Sequence, residues 1–314
     1  MEPIIDAHGH LGDILYPHGG ELIGRLGVEK EEVFDPASLA ESRLHRDPLR
    51  LGKLVYRLLA RQITRAERAR NATATLENFA RSLDEAQISH SVCLPIPPHV
   101  GFADLAEARE RDPRIVPFTG VDYTRAEDGR FPDPSAALAA DVAAGARGLK
   151  LHPIIQKIPL TSPETRAALE AFAPHGLPVL FHCGVSSYYL GAEREKEEPR
   201  YGAIHYTAEL VRDFPGVRFI AGHSGLLQVD QVMKLLAPFP NVCVDTSFQS
   251  PERVRQLVGA FGSERVLFAS DWPYGNRPPA LAIVREACRG DRGLERRILF
   301  ENAAELLGID VAPS

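Results

Sequence analysis

The sequence predicts an α/β fold: a (β/α)8 barrel with a helical insertion after its first strand. Three observations predict it. Eight short apolar runs alternate with helical segments, mostly one unit per roughly thirty residues, the length of a parallel crossover. Strands of that kind with helices between them form a parallel sheet covered on its outer face. Candidate ligand side chains stand at or near the ends of the first, fourth, fifth, sixth and eighth runs. A doubly wound open sheet would gather such residues from two or three strands at one switch point. Only a closed barrel brings five strand ends around one point.

The first strand is Ile4-Ile5-Asp6-Ala7-His8-Gly9-His10. Alternate side chains of a strand share a face, so Asp6, His8 and His10 are expected together, with the two imidazoles side by side at the strand end. Leu11 to Ala69 carries no strand signal. Within it, Leu51, Leu54, Val55, Leu58 and Leu59 recur at helical spacing, among arginines that include Arg43, Arg46, Arg50, Arg57, Arg61, Arg65, Arg68 and Arg70. The arginines read as a solvated face or a subunit contact. A long insertion at this place is expected to act as a lid over a site.

Beyond Asn71 the pattern is regular. A helix from Leu76 to Ala86 precedes the second strand, Ser91–Leu94, which prolines 95, 97 and 98 stop. A helix through Leu105 and Ala108 leads to the third strand, Arg114–Gly120. The alanine-rich helix from Ser135 to Ala144 ends at Gly145, a residue suited to a helix C-cap. The fourth strand is Arg147–His152. Ser162 then caps a helix with Pro163 at its first position, running to His175-Gly176. Pro178–Cys183, Val217–His223, Asn241–Ser247 and Arg265–Asp271 are the fifth to eighth strands. Helices Tyr206–Phe214, Val229–Leu236 and Pro251–Phe261 separate them, and helices Leu281–Ala287 and Leu294–Leu307 close the chain.

A chain of 314 residues can bury a large core, and 44% hydrophobic with 25% charged residues is ordinary for a globular protein. No internal repeat or low-complexity linker divides it, so residues 1–314 read as one domain with 11–69 as insertion or lid. The net charge of -6 argues against non-specific nucleic-acid binding. No apolar run is long enough to span a membrane, so no membrane partner is expected. A strand begins almost at Met1, with no basic-then-apolar leader before it, and a cytoplasmic location is expected. Cys93, Cys183, Cys243 and Cys288 are far apart and read as reduced thiols.

The strand ends supply the candidate site: His8, His10, Lys150, His182, His223 and Asp271. Singly, each fits a structural role, such as a core histidine or a turn-capping aspartate. Buried together they would each need a partner, and one metal ion satisfies imidazoles and a carboxylate at once. His152 shares a strand face with Lys150, one pleat nearer the mouth. Tyr188 and Tyr189 follow the fifth strand, and Trp272 and Tyr274 follow the eighth. Of these, Tyr188 and Trp272, with His152, are the candidate substrate contacts. His18 and His205 lie off the strand ends and read as structural.

His-x-His, Lys, His, His and Asp on strands one, four, five, six and eight resemble the amidohydrolase superfamily of TIM barrels. The phrasing is similar to the branch that contains aminocarboxymuconate-semialdehyde decarboxylase and many metal-dependent hydrolases. The residues that carry the resemblance are Ile5–His10, Gly148–Pro153, Phe181-His182, Gly222–Gly225, Asn241–Ser247, Ala269–Pro273 and the closing Ile298–Gly308. The resemblance implies that His8, His10, His182 and Asp271 hold a divalent ion, zinc in the first instance, with a water completing the site. The ion would make hydroxide available near neutral pH, and Asp271 would act as general base and then acid. His223 would polarise the scissile carbonyl or bind a second ion, and Asp6 would orient an imidazole or serve the backbone. For Lys150 three readings stay open: a carboxylated bridge between two ions, a charged anchor, or a residue a one-metal decarboxylase does not need. Three function classes follow: hydrolysis of a small ester, lactone or amide; decarboxylation of a small aromatic or enoic acid; and a barrel that binds without turnover. A homodimer through the Leu44–Arg70 insertion is also expected.

Overall fold

The computed structural model describes residues 2–47 and 51–309; Arg50, counted among the insertion's arginines, lies outside the described residues. Among the described residues nine parallel strands follow one another around the molecule: β1 (Ile5–Gly9), β2 (His90–Cys93), β3 (Ile115–Pro117), β4 (Thr119–Gly120), β5 (Leu149–Leu151), β6 (Val179–Phe181), β7 (Phe219–Ala221), β8 (Val242–Asp245) and β9 (Val266–Leu267). Their regular ladders make two sheets, β1-β2-β3 and β4 through β9. Backbone bonds join the sheets at both seams. Ala7 N donates to Phe268 O at 2.9 Å, Asp271 N to His8 O at 2.8 Å and His10 N to Trp272 O at 2.7 Å. At the other seam Phe118 N donates to Cys93 O at 3.0 Å, while Arg147 N donates to Pro117 O at 2.9 Å. The ring of strands is the predicted barrel.

The expected third strand, Arg114–Gly120, is divided at Phe118 into β3 and β4. Pro117 has no N–H to continue a ladder. The Phe118 ring fills the place where a Cβ on residue 148 would stand, which is why that position is Gly148. Ile5, Ala7, Val92, Leu94, Val116, Phe118, Leu180, Ile220 and Leu267 form the inner cluster with Ala303, Leu306 and Leu307. A second, larger cluster lies between strands and outer helices and takes the alternate positions, such as Val179, Phe181, Phe219 and Ala221. Lys150 pairs in register with Leu180, so its side chain belongs to the inner set. Burying this much apolar surface, at roughly 25 cal/mol per Å2, is the main force holding the barrel.

In β1 the alternation breaks. Ile5 pairs with His90 and Asp6 with Ser91, but Gly9 pairs with Cys93, a bulge between Asp6 and Gly9. Asp6 therefore faces the outer layer while His8 faces the site. Asp6 Oδ2 accepts from Arg277 Nε at 3.0 Å, and both side chains are fully buried. The Arg277 guanidinium also donates to Ser82 and Ser91 and lies over the rings of Phe79 and Trp272.

The insertion folds as helices Pro36–Ser42 and Gly52–Asn71. Asp35 caps the first, accepting from Ala37 N and Ser38 N. Only the C-terminal part of the second is buried: Thr64, Ala66, Ala69, Arg70 and Asn71. The expected closing helix Leu294–Leu307 runs from Arg292, with a π-helical stretch at Arg297–Glu301, and ends at Gly308 with φ 61°. The four cysteines are free thiols. Among the described residues no helix is long and apolar enough to cross a membrane.

Candidate active site

His8 and His10 leave the end of β1 with their ring nitrogens already assigned by their surroundings. His10 Nδ1 is 2.8 Å from Leu94 O, which can only accept, so Nδ1 carries the hydrogen. His8 Nδ1 is 2.8 Å from the Asp245 carboxylate, with the same consequence. Both Nε2 lone pairs then face inward, and each lies 3.4 Å from Asp271 Oδ1. That oxygen is buried and has no hydrogen-bond partner among the described residues. Two lone pairs and a carboxylate oxygen converge here, and Lys150 Nζ, 3.4 Å from His8 Nε2, leaves Asp271 Oδ1 unpartnered. Buried acceptors facing one another require a cation. The residues present therefore fit a divalent ion.

Asp245, at the end of β8, organises more than His8. Its Oδ1 accepts from His223 N at 2.9 Å and from Ser247 N at 3.0 Å. His223 sits at φ 59°, a left-handed backbone that its N–H bond to Asp245 helps to hold. Its ring stacks on that of His8 at 4.6 Å, and its Nδ1 is 2.9 Å from Ser247 Oγ and 3.6 Å from Asp271 Oδ2. Gly222 is required beside it, because a Cβ there would crowd Phe181 O and the His8 ring. Lys150 is buried with its Nζ 3.4 Å from His8 Nε2.

His182 is placed differently from the expectation. Its ring belongs to the cluster, 4.4 Å from His152 and 5.0 Å from His223. Yet its Nε2 is 2.9 Å from Gly184 O and its Nδ1 is 3.3 Å from the Tyr188 hydroxyl. Both nitrogens are thus engaged by protein. His152 accepts from Ile155 N through Nδ1 at 3.3 Å while stacking on His182. Tyr188 is buried over the cluster, and Tyr274 stands edge-on to His10 at 6.0 Å.

The Trp272 ring packs edge-on against Phe79 at 5.3 Å, behind the strand and away from the imidazoles; Tyr274 takes the place at the rim that Trp272 was expected to share. Asp6 does not orient an imidazole, because the bulge turns it to Arg277; Asp245 does that work. Asp245 is the residue sequence reasoning missed. Its signal was a carboxylate at the end of the seventh strand, level with the other strand-end groups. His18 and His205 are exposed and outside the cluster, as expected.

Burial pushes His8, His10, His152 and His223 well below the ordinary imidazole range, and His182 down to about 3. All are therefore neutral, the form in which imidazole binds metal. Burial lowers Lys150 to about 8 against the pull of Asp271 and Asp245. Asp271 is driven well up by burial despite Lys150, so a bare carboxylate is disfavoured there until a cation joins it.

Over this site lies the C-terminal part of helix Gly52–Asn71. Thr64 Oγ1 donates to Ser187 O at 3.3 Å, and the Tyr274 hydroxyl donates to Asn71 Oδ1 at 3.0 Å. Arg70, buried, donates to Tyr274 O at 2.6 Å and pairs with Asp35 at 2.8 Å and Glu41 at 2.9 Å. Glu41 in turn accepts from Asn276. The insertion is thus bonded to the loop after β6 and to Tyr274 beside the site.

A family model described as amidohydrolase matches residues 5–309. A stretch of 93 residues is 34% identical to the uncharacterised protein y4mH of Sinorhizobium fredii, a match spanning 31% of that protein. The fold is similar to an uncharacterised TIM-barrel protein of Bordetella bronchiseptica, with a TM-score of 0.65 at 15% identity over 98% of each chain. It is similar to the 5-carboxyvanillate decarboxylase of Novosphingobium aromaticivorans, solved with manganese, with a TM-score of 0.61 at 14% identity, over 98% of this chain and 96% of that one. It is also similar to a putative 2-pyrone-4,6-dicarboxylic acid hydrolase of Pseudomonas putida, with a TM-score of 0.57 at 20% identity, over 99% of this chain and all of that one.

Proposed function

The chain belongs to the amidohydrolase family, and from that premise we propose that it is a metal-dependent hydrolase of a small ester, lactone or amide. The observation that carries the reading is Lys150, fully buried and 3.4 Å from the ligand nitrogen of His8. A lysine there serves a two-metal hydrolase as a carboxylated bridge, whereas a one-metal decarboxylase has no use for it. The mouth supports the same choice. Arg70, which bonds Tyr274 O beside it, is also tied to Asp35 and Glu41, and is not free to anchor a substrate carboxylate.

His8, His10 and Asp271 would hold the ion; His182 joins them only by giving up Gly184 O and Ser186 Oγ at Nε2, or the Tyr188 hydroxyl at Nδ1. Imidazole and carboxylate donors suit zinc, and metal analysis of protein purified without chelator distinguishes it from manganese. A bound divalent ion supplies Lewis acidity and hydroxide near neutral pH. Asp271 Oδ2, 3.6 Å from His223 Nδ1, is placed to take a proton and return it to the leaving group. His223 and Tyr188 flank the space where a scissile carbonyl would sit and orient it.

One observation favours the decarboxylase as second reading. In the other close group, His8, His223 and Asp245, the carboxylate is taken by His8 Nδ1 and His223 N, and His223 Nδ1 lies 2.9 Å from Ser247 Oγ, so a single ion is the simpler load. Lys150→Met separates the two. Loss of one ion per chain with collapse of ester, lactone or amide hydrolysis is the expected result. Retention of one tightly held ion, with undiminished carbon dioxide release from an acid substrate, assigns the lyase instead.

A further inference from the structure

Two carboxyl groups beside the site take no part in that chemistry. Glu67 lies on helix Gly52–Asn71, between Thr64, which bonds Ser187 O, and Asn71, which bonds the Tyr274 hydroxyl. Residues spaced three and four apart share a helix face, so Glu67 looks onto the same gap between the loop after β6 and Tyr274. Its stem is partly exposed, but its Oε2 is enclosed and has no hydrogen-bond partner among the described residues. Glu197 approaches from the loop after β6 and is 5% exposed. Its Oε2 accepts from Tyr188 N at 2.6 Å, while its Oε1 is enclosed and likewise without a hydrogen bond.

Both groups border the Ser187-Tyr188 segment: Thr64, on the helix face of Glu67, bonds Ser187 O, and Glu197 accepts from Tyr188 N. The helix face of Glu67 meets Tyr274 through Asn71, and Glu197 holds the backbone of Tyr188, whose hydroxyl is 3.3 Å from His182 Nδ1, so both groups border the imidazole site. The nearest cations do not satisfy them. Arg70 is held by Asp35, Glu41 and Tyr274 O, and Arg194, largely exposed, stops with its Nε 4.0 Å from Glu197 Oε1. Among the described residues, no third His, Cys, Asp or Glu joins them in a metal-sized set. An ammonium group fits instead: a compact charge carrying three donors can meet carboxylate oxygens that lack a partner.

We propose that Glu67 and Glu197 recognise a primary ammonium group on the substrate, remote from the bond that is cut. The substrate is then an amino-bearing ester, lactone or amide, a deepening that rests on the hydrolase reading. Burial, with Glu197 and Asp35 opposing Arg70, pushes Glu67 up to about 8 in the free protein. The pair thus waits with a proton that an arriving ammonium displaces.

The test uses full-length, metal-loaded protein and n-hexylammonium chloride, with 1-hexanol as neutral isostere, in calorimetric titrations. Wild type should bind the ammonium and not the alcohol, and Glu67→Gln and Glu197→Gln should each weaken binding by about tenfold or more. Equal binding of amine and alcohol by wild type overturns the proposal without any variant. So does amine binding that survives the double substitution, since it would then sit on the metal. Turnover is measured beside it on esters with and without a terminal amine. Hydrolysis indifferent to the amine removes the ammonium site and leaves the hydrolase. Ammonium binding lost in Glu67→Gln, with no ester, lactone or amide cut, keeps the site and removes the hydrolase.

Discussion

Asp245 decides the state of His8. Its carboxylate holds the Nδ1 hydrogen and so turns the Nε2 lone pair to the site, while the same group fixes His223 and Ser247 through their backbone N–H. Asp245→Asn can offer its amide to His8 as donor, favouring the wrong tautomer, and metal affinity should fall by roughly 10–100-fold. Competition with a chelating dye measures it; an unchanged dissociation constant would show that His8 is oriented by something else. The paired imidazoles were legible because a His-x-His at a strand end has few structural uses. Of the two readings of Asp6, orienting an imidazole or serving the backbone, the second holds: strict alternation would put Asp6 on the face of His8, but its Oδ1 accepts from Ser270 N at 2.9 Å. A bulge between Asp6 and Gly9 reverses that face, and bulges leave little trace in the order of residues. Trp272 was misplaced for a related reason: a turn residue at a barrel rim can point either way, and here the ring finds Phe79 and Arg277.

The insertion is held by a few buried charges. Arg70 bridges Asp35 and Glu41 to the backbone of Tyr274, and Glu41 continues to Asn276. Arg70→Met leaves buried Glu41 without its cation and Asp35 with Lys30 alone, and such a break costs about 3–5 kcal/mol. Denaturation curves and rapid proteolysis inside the insertion at neutral pH should report it. Acid should act on the same clamp. Burial raises Asp35, but its bonds from Arg70 and Lys30 win and hold it well below the ordinary carboxylate range. A carboxyl lowered in the folded state stabilises it fully above the unfolded value, near 3.9, and loses that contribution as pH falls further. Pepsin cleavage within the insertion should therefore appear as pH drops from about 4 toward 2. Cleavage equally fast at pH 5 would show that the ion pair is not what holds it. The amphipathic helix was legible here, but its seating was not. The buried end carries Thr64, Arg70 and Asn71, residue types that composition assigns to solvent.

The apolar stripe that marked that helix stays in the open. Leu51, Leu54, Val55 and Leu58 are 43%, 50%, 44% and 71% exposed. A stripe of this kind on a surface helix suits a copy of itself across a two-fold axis, and a homodimer is the proposal. Light scattering on eluting protein should give about twice 34.5 kDa, and Leu54→Glu with Leu58→Glu should return it to the single-chain mass. Single-chain mass in the wild type at tens of micromolar would end the idea. The barrel order was legible because each unit repeats the same local pattern. Its closure sets a different kind of limit. His8 and His10 come from the first strand, whereas Asp271 N bonds His8 O from the far end of the chain. During synthesis the first strand must wait for residue 271 to leave the ribosome before its last neighbour exists. At ~5–20 residues per second that wait is on the order of tens of seconds. Until then β1 has an unpaired edge and its histidines have no aspartate, so an ion held by His8, His10 and Asp271 would be loaded only after residue 271 has emerged.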